Sequence, residues 1–97
     1  MPLTEKQKRH LRGLAHHLKP VVMVGDAGLS DGVLRELDLS IEHHELIKVR
    51  VNAADREDRD AIIQRMCAGV NAELVQRIGH VAVLYRPAKT PHINLPK

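Results

Sequence analysis

Two glycines in the stretch VVMVGDAGLSDGV, residues 21–33, have the spacing of a loop that contacts phosphate. An apolar, β-branched run ends at Gly25, a second glycine follows at Gly28, and Ser30 has the side chain of a helix N-cap. Glycine permits positive φ angles and a close approach to the backbone, and the N-terminus of a helix attracts anions. The chemistry predicted for residues 25–28 is therefore contact between backbone N–H groups and a phosphate.

Other interpretations of the two glycines stay open at this point. A tight turn from a strand into a helix explains the pair equally well. The stretch is not a dinucleotide-binding fingerprint because the third glycine is absent, and it is not a P-loop because no lysine follows Gly28. A Gly-x-x-Gly loop that clamps a nucleic-acid backbone is the device of KH domains. A nucleic-acid clamp and a simple turn are thus the two alternatives.

The charges are unevenly placed along the 97 residues, although the net charge is only +3. Residues 1–19 hold five Lys or Arg against one Glu, and residues 26–45 hold six Asp or Glu against one Arg. Residues 74–97 hold four Lys or Arg and no acidic residue. Such asymmetry creates a local positive field that favours a polyanionic partner, although ordinary solvated faces produce the same pattern.

The aromatic content limits how a nucleic acid can be recognised. The chain has no Trp and no Phe, and Tyr85 is its only tyrosine. It therefore lacks the stacking platform with which several RNA-binding folds hold single-stranded bases. We expect contacts mainly to phosphate and sugar, and recognition of RNA shape more than of base identity.

No residue pattern predicts an enzyme, a metal site or a cofactor. Cys67 is the only cysteine, which excludes an intramolecular disulfide and indicates the cytoplasm. HHELIK is not a His-Glu-x-x-His motif because Lys48 occupies the second histidine position. We expect neither a signal peptide nor a membrane helix, because MPLTEKQKRHLRGL lacks an apolar core and no stretch approaches about 20 apolar residues. Glu45 is expected to form an ion pair with Lys48.

The hydrophobic spacing predicts helix, strand, helix, strand, helix, strand, strand. The predicted helices cover about residues 5–18, 30–43 and 55–71, and the first two strands cover residues 21–24 and 45–52. The last two strands form a hairpin that turns at Gly79 and His80. This order predicts an α/β fold, a two-layer-type sandwich in which a mixed four-stranded sheet packs with three helices.

The same patterns predict which side chains are buried. The continuous apolar run 21–24 is typical of a central strand that is covered on both faces. In the hairpin, Gln76 is expected opposite Val83, and Leu74 opposite Tyr85. The expected apolar stripe of the first helix comprises Leu11, Leu14, Ala15 and Leu18. The expected core comprises Ile62, Met66, Val70, Val22, Val49 and Val83.

Three stretches, LTEKQKRHLRGLAHHLKPVVMVGDAGLSDGV, IEHHELIKVRV and VLYRP, resemble the CRM domain family (chloroplast RNA splicing and ribosome maturation) in its bacterial stand-alone YhbY-like form. The resemblance covers nearly the whole chain in order. It implies one RNA-binding domain over residues 1–97, with an irregular tail at about 88–97, and a sheet similar to that of the C-terminal domain of the third bacterial translation initiation factor. It also implies binding to ribosomal RNA in precursors of the large ribosomal subunit. We further expect a monomer without DNA or membrane partners.

The resemblance assigns the family's functional positions to residues of this chain. The Gly-x-x-Gly loop falls on residues 25–28, and the basic positions fall on Lys19, Lys48 and Arg86. Asp26 departs from expectation, because a neutral or basic residue would suit phosphate better. With the basic residues of the first helix and second strand, the predicted RNA-binding set is Lys8, Arg12, Lys19, Gly25, Asp26, Ala27, Gly28, Lys48, Arg50 and Arg86.

A second function is also compatible with the charges. The second and third helices are acidic and include DREDRD, residues 55–60. A protein-interaction adaptor would use these helices as its contact surface. The salt dependence of RNA binding discriminates between an adaptor and an RNA-binding domain.

Overall fold

The computed structural model describes residues 2–25 and 27–97 and contains the predicted order of elements. The three helices are α1 (Glu5–Ala15), α2 (Asp31–His44) and α3 (Arg56–Val70). The four strands are β1 (Pro20–Val24), β2 (Leu46–Val51), β3 (Glu73–Ile78) and β4 (Val81–Tyr85). The N-cap predicted at Ser30 is present on α2, and Thr4 and Gln7 form a capping box on α1.

The four strands form one mixed sheet in the order β1-β2-β4-β3. β1 runs parallel to β2, with Val22 opposite Val49, because α2 carries the chain back across the sheet between them. β4 is antiparallel to both β2 and β3. The α/β class and the mixed four-stranded sheet are thus confirmed.

The sheet is covered by helices on both faces. α2 and α3 pack on one face, where they bury the larger cluster, which includes Leu37, Ile41 and Met66. α1 packs on β2 and β3 from the opposite face, and Ile93 and Leu95 of the C-terminal tail join the smaller cluster there. Two layers, the sheet and the helices α2 and α3, therefore describe only one side of the sheet, and α1 adds a layer on the other side. We call the opposite side the α1 face.

β1 is an edge strand, so the prediction of a central strand covered on both faces is wrong. Val22 and Val24 are buried against α2 and α3, whereas Val21 is 45 % exposed and Met23 is 59 % exposed. α1 packs on β2 and β3 and leaves this end of the α1 face open. A continuous apolar run does not distinguish a central strand from an edge strand with exposed apolar side chains.

The apolar stripes of α1 and α3 differ from the predicted ones. α1 ends at Ala15, and Leu14 and Leu18 are largely exposed instead of buried. In α3 the predicted Met66 and Val70 are buried, but the third buried residue is Ile63, and Ile62 is only partly buried against the larger cluster. Val83 is fully buried, as expected, but it lies in the smaller cluster on the α1 face.

The hairpin has the predicted turn and half of the predicted register. Gly79 has φ +56°, and the pairs beside the turn, from Ile78 with Val81 to Gln76 with Val83, are as expected. A bulge at Val75 then moves the register by one residue, so that Leu74 pairs with Leu84 instead of Tyr85. The bulge lets the Val75 side chain enter the smaller cluster, which a regular ladder would prevent.

Glu45 is fully buried between α2 and β2, and it does not form the expected ion pair with Lys48. Its carboxylate accepts the backbone N–H groups of Ala88 (2.7 Å), His92 (2.9 Å) and Ile93 (2.8 Å). Burial raises the pKa of Glu45, whereas these hydrogen bonds and the nearby His92 lower it. The lowering is larger in sum, so the pKa of Glu45 lies below its ordinary value. The carboxylate thus fastens the irregular tail to the fold.

Candidate nucleic-acid interface

The glycine loop directly follows β1, and its two glycines have different structural requirements. The N–H of Gly28 donates to the carbonyl of Gly25 at 3.0 Å, and Gly28 has φ +78°, a conformation that favours glycine. Gly25 does not have a positive φ, and an added Cβ would meet no atom within 4 Å. The turn therefore explains Gly28 and does not explain Gly25. Asp26 lies outside the described residues.

The loop leads into the N-terminus of α2. The Ser30 hydroxyl accepts the N–H of Val33 at 3.1 Å. Helix geometry leaves the N–H groups of Asp31 and Gly32 without partners inside the helix, so they are directed out of its N-terminus. The exposed carboxylate of Asp31 supplies negative charge at the same helix end, which reduces its attraction for a phosphate.

Two of the predicted basic residues lie on the exposed part of the α1 face. Ile47, Val49 and Val51 belong to the larger cluster, so the alternation of β2 places Lys48 and Arg50 on the opposite, α1 face. Lys48 pairs with Pro20, which directly follows Lys19, and Arg50 pairs with Met23 of the edge strand. Lys19, Lys48 and Arg50 therefore follow the β1–β2 edge towards the glycine loop.

The remaining basic residues of the predicted set lie on α1 or on the opposite side of the sheet. Lys8 and Arg12 are one turn apart on α1 and are both half-buried. Arg86 points towards α2, where its guanidinium donates to Asp38 at 2.7 Å, to Glu42 at 3.2 Å and to a backbone carbonyl of α3 at 2.8 Å. The structure thus separates Arg86 from the others.

Ion pairs distinguish these cations further. Among residues 2–25 and 27–97, the Lys and Arg side chains in ion pairs are Arg86, with Asp38 and Glu42, and Arg77, with Asp60. The other five basic residues of the predicted set have no acidic partner within this part of the chain, so their charges are not compensated there. These residues, which we call the α1-side cations, are Lys8, Arg12, Lys19, Lys48 and Arg50.

The described residues provide no arrangement for metal binding, and the cysteine is not activated. No group of three or more His, Cys, Asp or Glu among them could hold a metal ion. Burial, together with the nearby Glu73, raises the pKa of the Cys67 thiol, which keeps it protonated and weakly nucleophilic. No helix in the described ranges is long and apolar enough to cross a membrane.

Comparison with known sequences identifies the family. Residues 3–86 match the CRS1 / YhbY (CRM) domain, which is most of the chain. The chain belongs to the CRM domain family. Several of its relatives are named RNA-binding or probable RNA-binding proteins.

Individual relatives cover nearly the whole CRM chain. An RNA-binding protein of Haemophilus influenzae is 53 % identical over 95 residues, which are 98 % of this chain and 96 % of that protein. A protein of Pseudomonas aeruginosa that is named a probable RNA-binding protein is 45 % identical over 98 % of this chain and 91 % of its own length. A solution structure from Staphylococcus aureus, of a protein proposed to bind RNA, has a TM-score of 0.84 and 38 % identity over 98 % of this chain and 100 % of that one.

Sequence reasoning missed two groups of residues near the glycine loop. Met23 is exposed beside Arg50, although its apolar strand predicted burial. The residues after β2 also lie beside the loop, because the N–H of Asn52 donates to the carbonyl of Val24 at 2.9 Å. The predicted order of strands could have indicated the residues after β2, because neighbouring parallel strands end at the same edge of a sheet, where ligands commonly bind.

Proposed function

We propose that this CRM domain binds ribosomal RNA in precursors of the large ribosomal subunit and assists their assembly without catalysing a reaction. The α1-side cations and the loop of residues 25–28 make the contacts. The observation that carries the proposal is that these five cations have no acidic partners among the described residues, whereas Arg77 and Arg86 do. Uncompensated cations on a face that leads along β1 and β2 to a phosphate-compatible loop fit a polyanion.

The ribosomal target comes from the family resemblance of the sequence, and the geometry supports only RNA binding. We propose that the domain acts in the cytoplasm as a monomer comprising residues 1–97. Sedimentation of a cell extract, with detection of the protein across the ribosomal fractions, tests the target. Co-sedimentation with particles lighter than the mature large subunit is expected, and absence of the protein from all ribosomal fractions would contradict the assembly role.

The structure weakens the adaptor alternative because much of the acidic surface is used within the fold. Asp38 and Glu42 of α2 bind Arg86, and Asp60 of α3 binds Arg77 at 2.9 Å. Asp55 accepts the N–H of Asp58 as the N-cap of α3. A partner protein would therefore have to compete with internal contacts for these carboxylates.

The dependence of RNA affinity on salt tests the proposed contacts. On a single strand, each neutralised phosphate contributes a slope of about 0.7 to the logarithm of affinity against the logarithm of salt concentration. Arg50→Ala is expected to lower this slope by about one contact, since Arg50 is exposed on the α1 face. Affinity that barely changes with salt would contradict the electrostatic contacts.

Lys89→Ala provides the matched control for Arg50→Ala. Lys89 is also exposed, but its backbone N–H is bonded to Glu42 of α2, on the opposite side of the sheet. The variant loses the same charge without losing an α1-side cation. A short RNA should bind Lys89→Ala with the salt slope of the parent protein, and an equal loss in both variants would mean that net charge alone decides binding.

A further inference from the structure

A groove of about 610 Å³ lies between the glycine loop, the residues after β2 and the helix α3. Its volume is within the range of about 300–1,000 Å³ that is usual for small-ligand sites. Gly25 and Gly28 form one border, so the groove is continuous with the loop that the proposed function assigns to phosphate. The α3 side chains that matter for its chemistry are Asp58, Ala61, Gln64 and Arg65.

Small residues and fixed elements keep this groove open. Two alanines follow Asn52, Ala61 lies on the α3 side, and an added Cβ at either loop glycine would meet nothing within 4 Å. The hydrogen bond from Asn52 N–H to the Val24 carbonyl holds the two loops side by side. Asp55 fixes the start of α3 as its N-cap, so the groove needs no rearrangement to form.

The charges of the groove suit a nucleobase better than a phosphate. Asp58 and Arg65 bring opposite charges, and neither forms an ion pair with another described residue. Arg65 attracts a phosphate, but Asp58 repels it. The edge of a base, in contrast, carries both hydrogen-bond donors and acceptors, which match the carboxylate of Asp58 and the amide of Gln64.

We propose that this groove holds one unpaired nucleobase of an RNA strand whose phosphate lies at residues 25–28. The inference rests on the proposed function and names its RNA class as single-stranded or bulged. Because Gly25 and Gly28 border both places, the phosphate and the base belong to the same nucleotide or to adjacent ones. The guanidinium plane of Arg65 can stack on the base in place of an aromatic ring.

A base site beside the glycine loop would change how the protein recognises RNA. The lack of Phe and Trp predicts that phosphate and sugar contacts dominate, with little contribution from bases. A base in the groove would make an RNA strand with a free nucleotide bind more tightly than a continuous duplex, in which every base is stacked and paired. Asp58 would favour bases that present N–H donors at their edges.

Filling the groove tests the proposal. The probes are a single-stranded RNA of mixed sequence with about ten nucleotides and the duplex that it forms with its complement. Ala61→Leu is expected to weaken binding of the single strand about tenfold and to leave duplex binding unchanged, because a base contact of this kind contributes about one order of magnitude. Ala68→Leu is the control, since Ala68 is exposed on the same helix and does not line the groove.

A second measurement uses the unchanged protein, so it does not depend on the folding of Ala61→Leu. Single nucleotides of the RNA strand are replaced by abasic ones in turn, and affinity is measured for each strand. An abasic nucleotide should weaken binding about tenfold at one position or more. The same position should cause little further loss in Ala61→Leu, because the base and the groove then no longer interact.

The outcomes distinguish this inference from the proposed function. If the parent protein binds strand and duplex equally and no abasic position weakens binding, the base site is wrong while RNA binding stands. If Ala61→Leu folds normally and binds the strand like Ala68→Leu, the groove is likewise not the base site. If the parent protein binds neither RNA, the proposed function fails, and the base site fails with it.

Discussion

The buried carboxylate of Glu45 accepts the backbone N–H of His92 at 2.9 Å, across 47 residues of sequence. Glu45 is 0 % exposed and has φ +65°, which a glutamate adopts only at a cost. The same carboxylate also binds the N–H groups of Ala88 and Ile93. The Glu45 side chain therefore holds the C-terminal tail on the fold together with the packing of Ile93 and Leu95, so its ionisation should affect how firmly the tail is attached.

Glu45→Gln is expected to lower the free energy of unfolding at neutral pH by about 1–3 kcal/mol, because the amide NH₂ would face backbone donors that the carboxylate accepts. The pKa of Glu45 is lowered in the folded protein from its ordinary value of 4.5. Its stabilisation is therefore complete above the ordinary pKa and is lost as the pH falls through the lower, folded value. Denaturant unfolding of both proteins should show their difference shrinking over that interval.

Glu36→Gln is the control for this pH dependence, because Glu36 is exposed on α2. It also removes one carboxylate, but it leaves the tail contacts intact. We expect this variant to retain the stability and the acid-induced loss of the parent protein. Identical pH profiles for Glu36→Gln and Glu45→Gln would contradict the role of Glu45 in attaching the tail.

Ile63→Ala should destabilise the protein by about 2–5 kcal/mol, since Ile63 is buried in the larger cluster and its truncation leaves a cavity. Ile62→Ala removes the same atoms from a half-buried position of the same helix and should cost clearly less. Chemical denaturation of the two variants provides the comparison. A larger loss for Ile62→Ala would show that α3 is rotated relative to this structure.

Gly25→Ala separates RNA contact from folding. Gly25 lacks a positive φ and has open space around it, so the melting temperature should stay within about 2 °C of the parent value, as expected for a surface change. If a phosphate approaches the backbone there, the added methyl group should weaken RNA binding. Gly28→Ala should instead lower the melting temperature, because alanine is strained at φ +78°. Unchanged RNA affinity in Gly25→Ala would mean that the loop is only a turn.

Arg86→Ala should act on stability and not on RNA binding. The guanidinium joins α2 to α3 through Asp38, Glu42 and the Val70 carbonyl, and its loss should cost about 1–3 kcal/mol. At a temperature where both proteins are folded, RNA affinity should match that of the parent. A selective loss of affinity in a stable variant would return Arg86 to the RNA-binding set.

The sequence by itself determined the features that depend on neighbouring residues. The N-caps at Thr4 and Ser30, the turn at Gly79 and the number and order of the elements all follow from backbone preferences and spacings over a few residues. A strand, helix, strand unit followed by a hairpin also fixes a mixed sheet. The glycine loop could be predicted for the same reason, because the spacing that indicates it involves only residues 25–28.

Only the tertiary structure decided which face of each element is covered and which charges are free. α1 packs on β2 and β3, which exposes Met23 although its strand is apolar. Lys48 lies within β2 and Arg86 directly follows β4, but of these two cations the acidic side chains of α2 form ion pairs only with Arg86. The Glu45 carboxylate accepts hydrogen bonds from backbone N–H groups that lie 43 to 48 residues further along the chain. Burial and ion pairing depend on how distant segments are stacked, and no local spacing encodes that geometry.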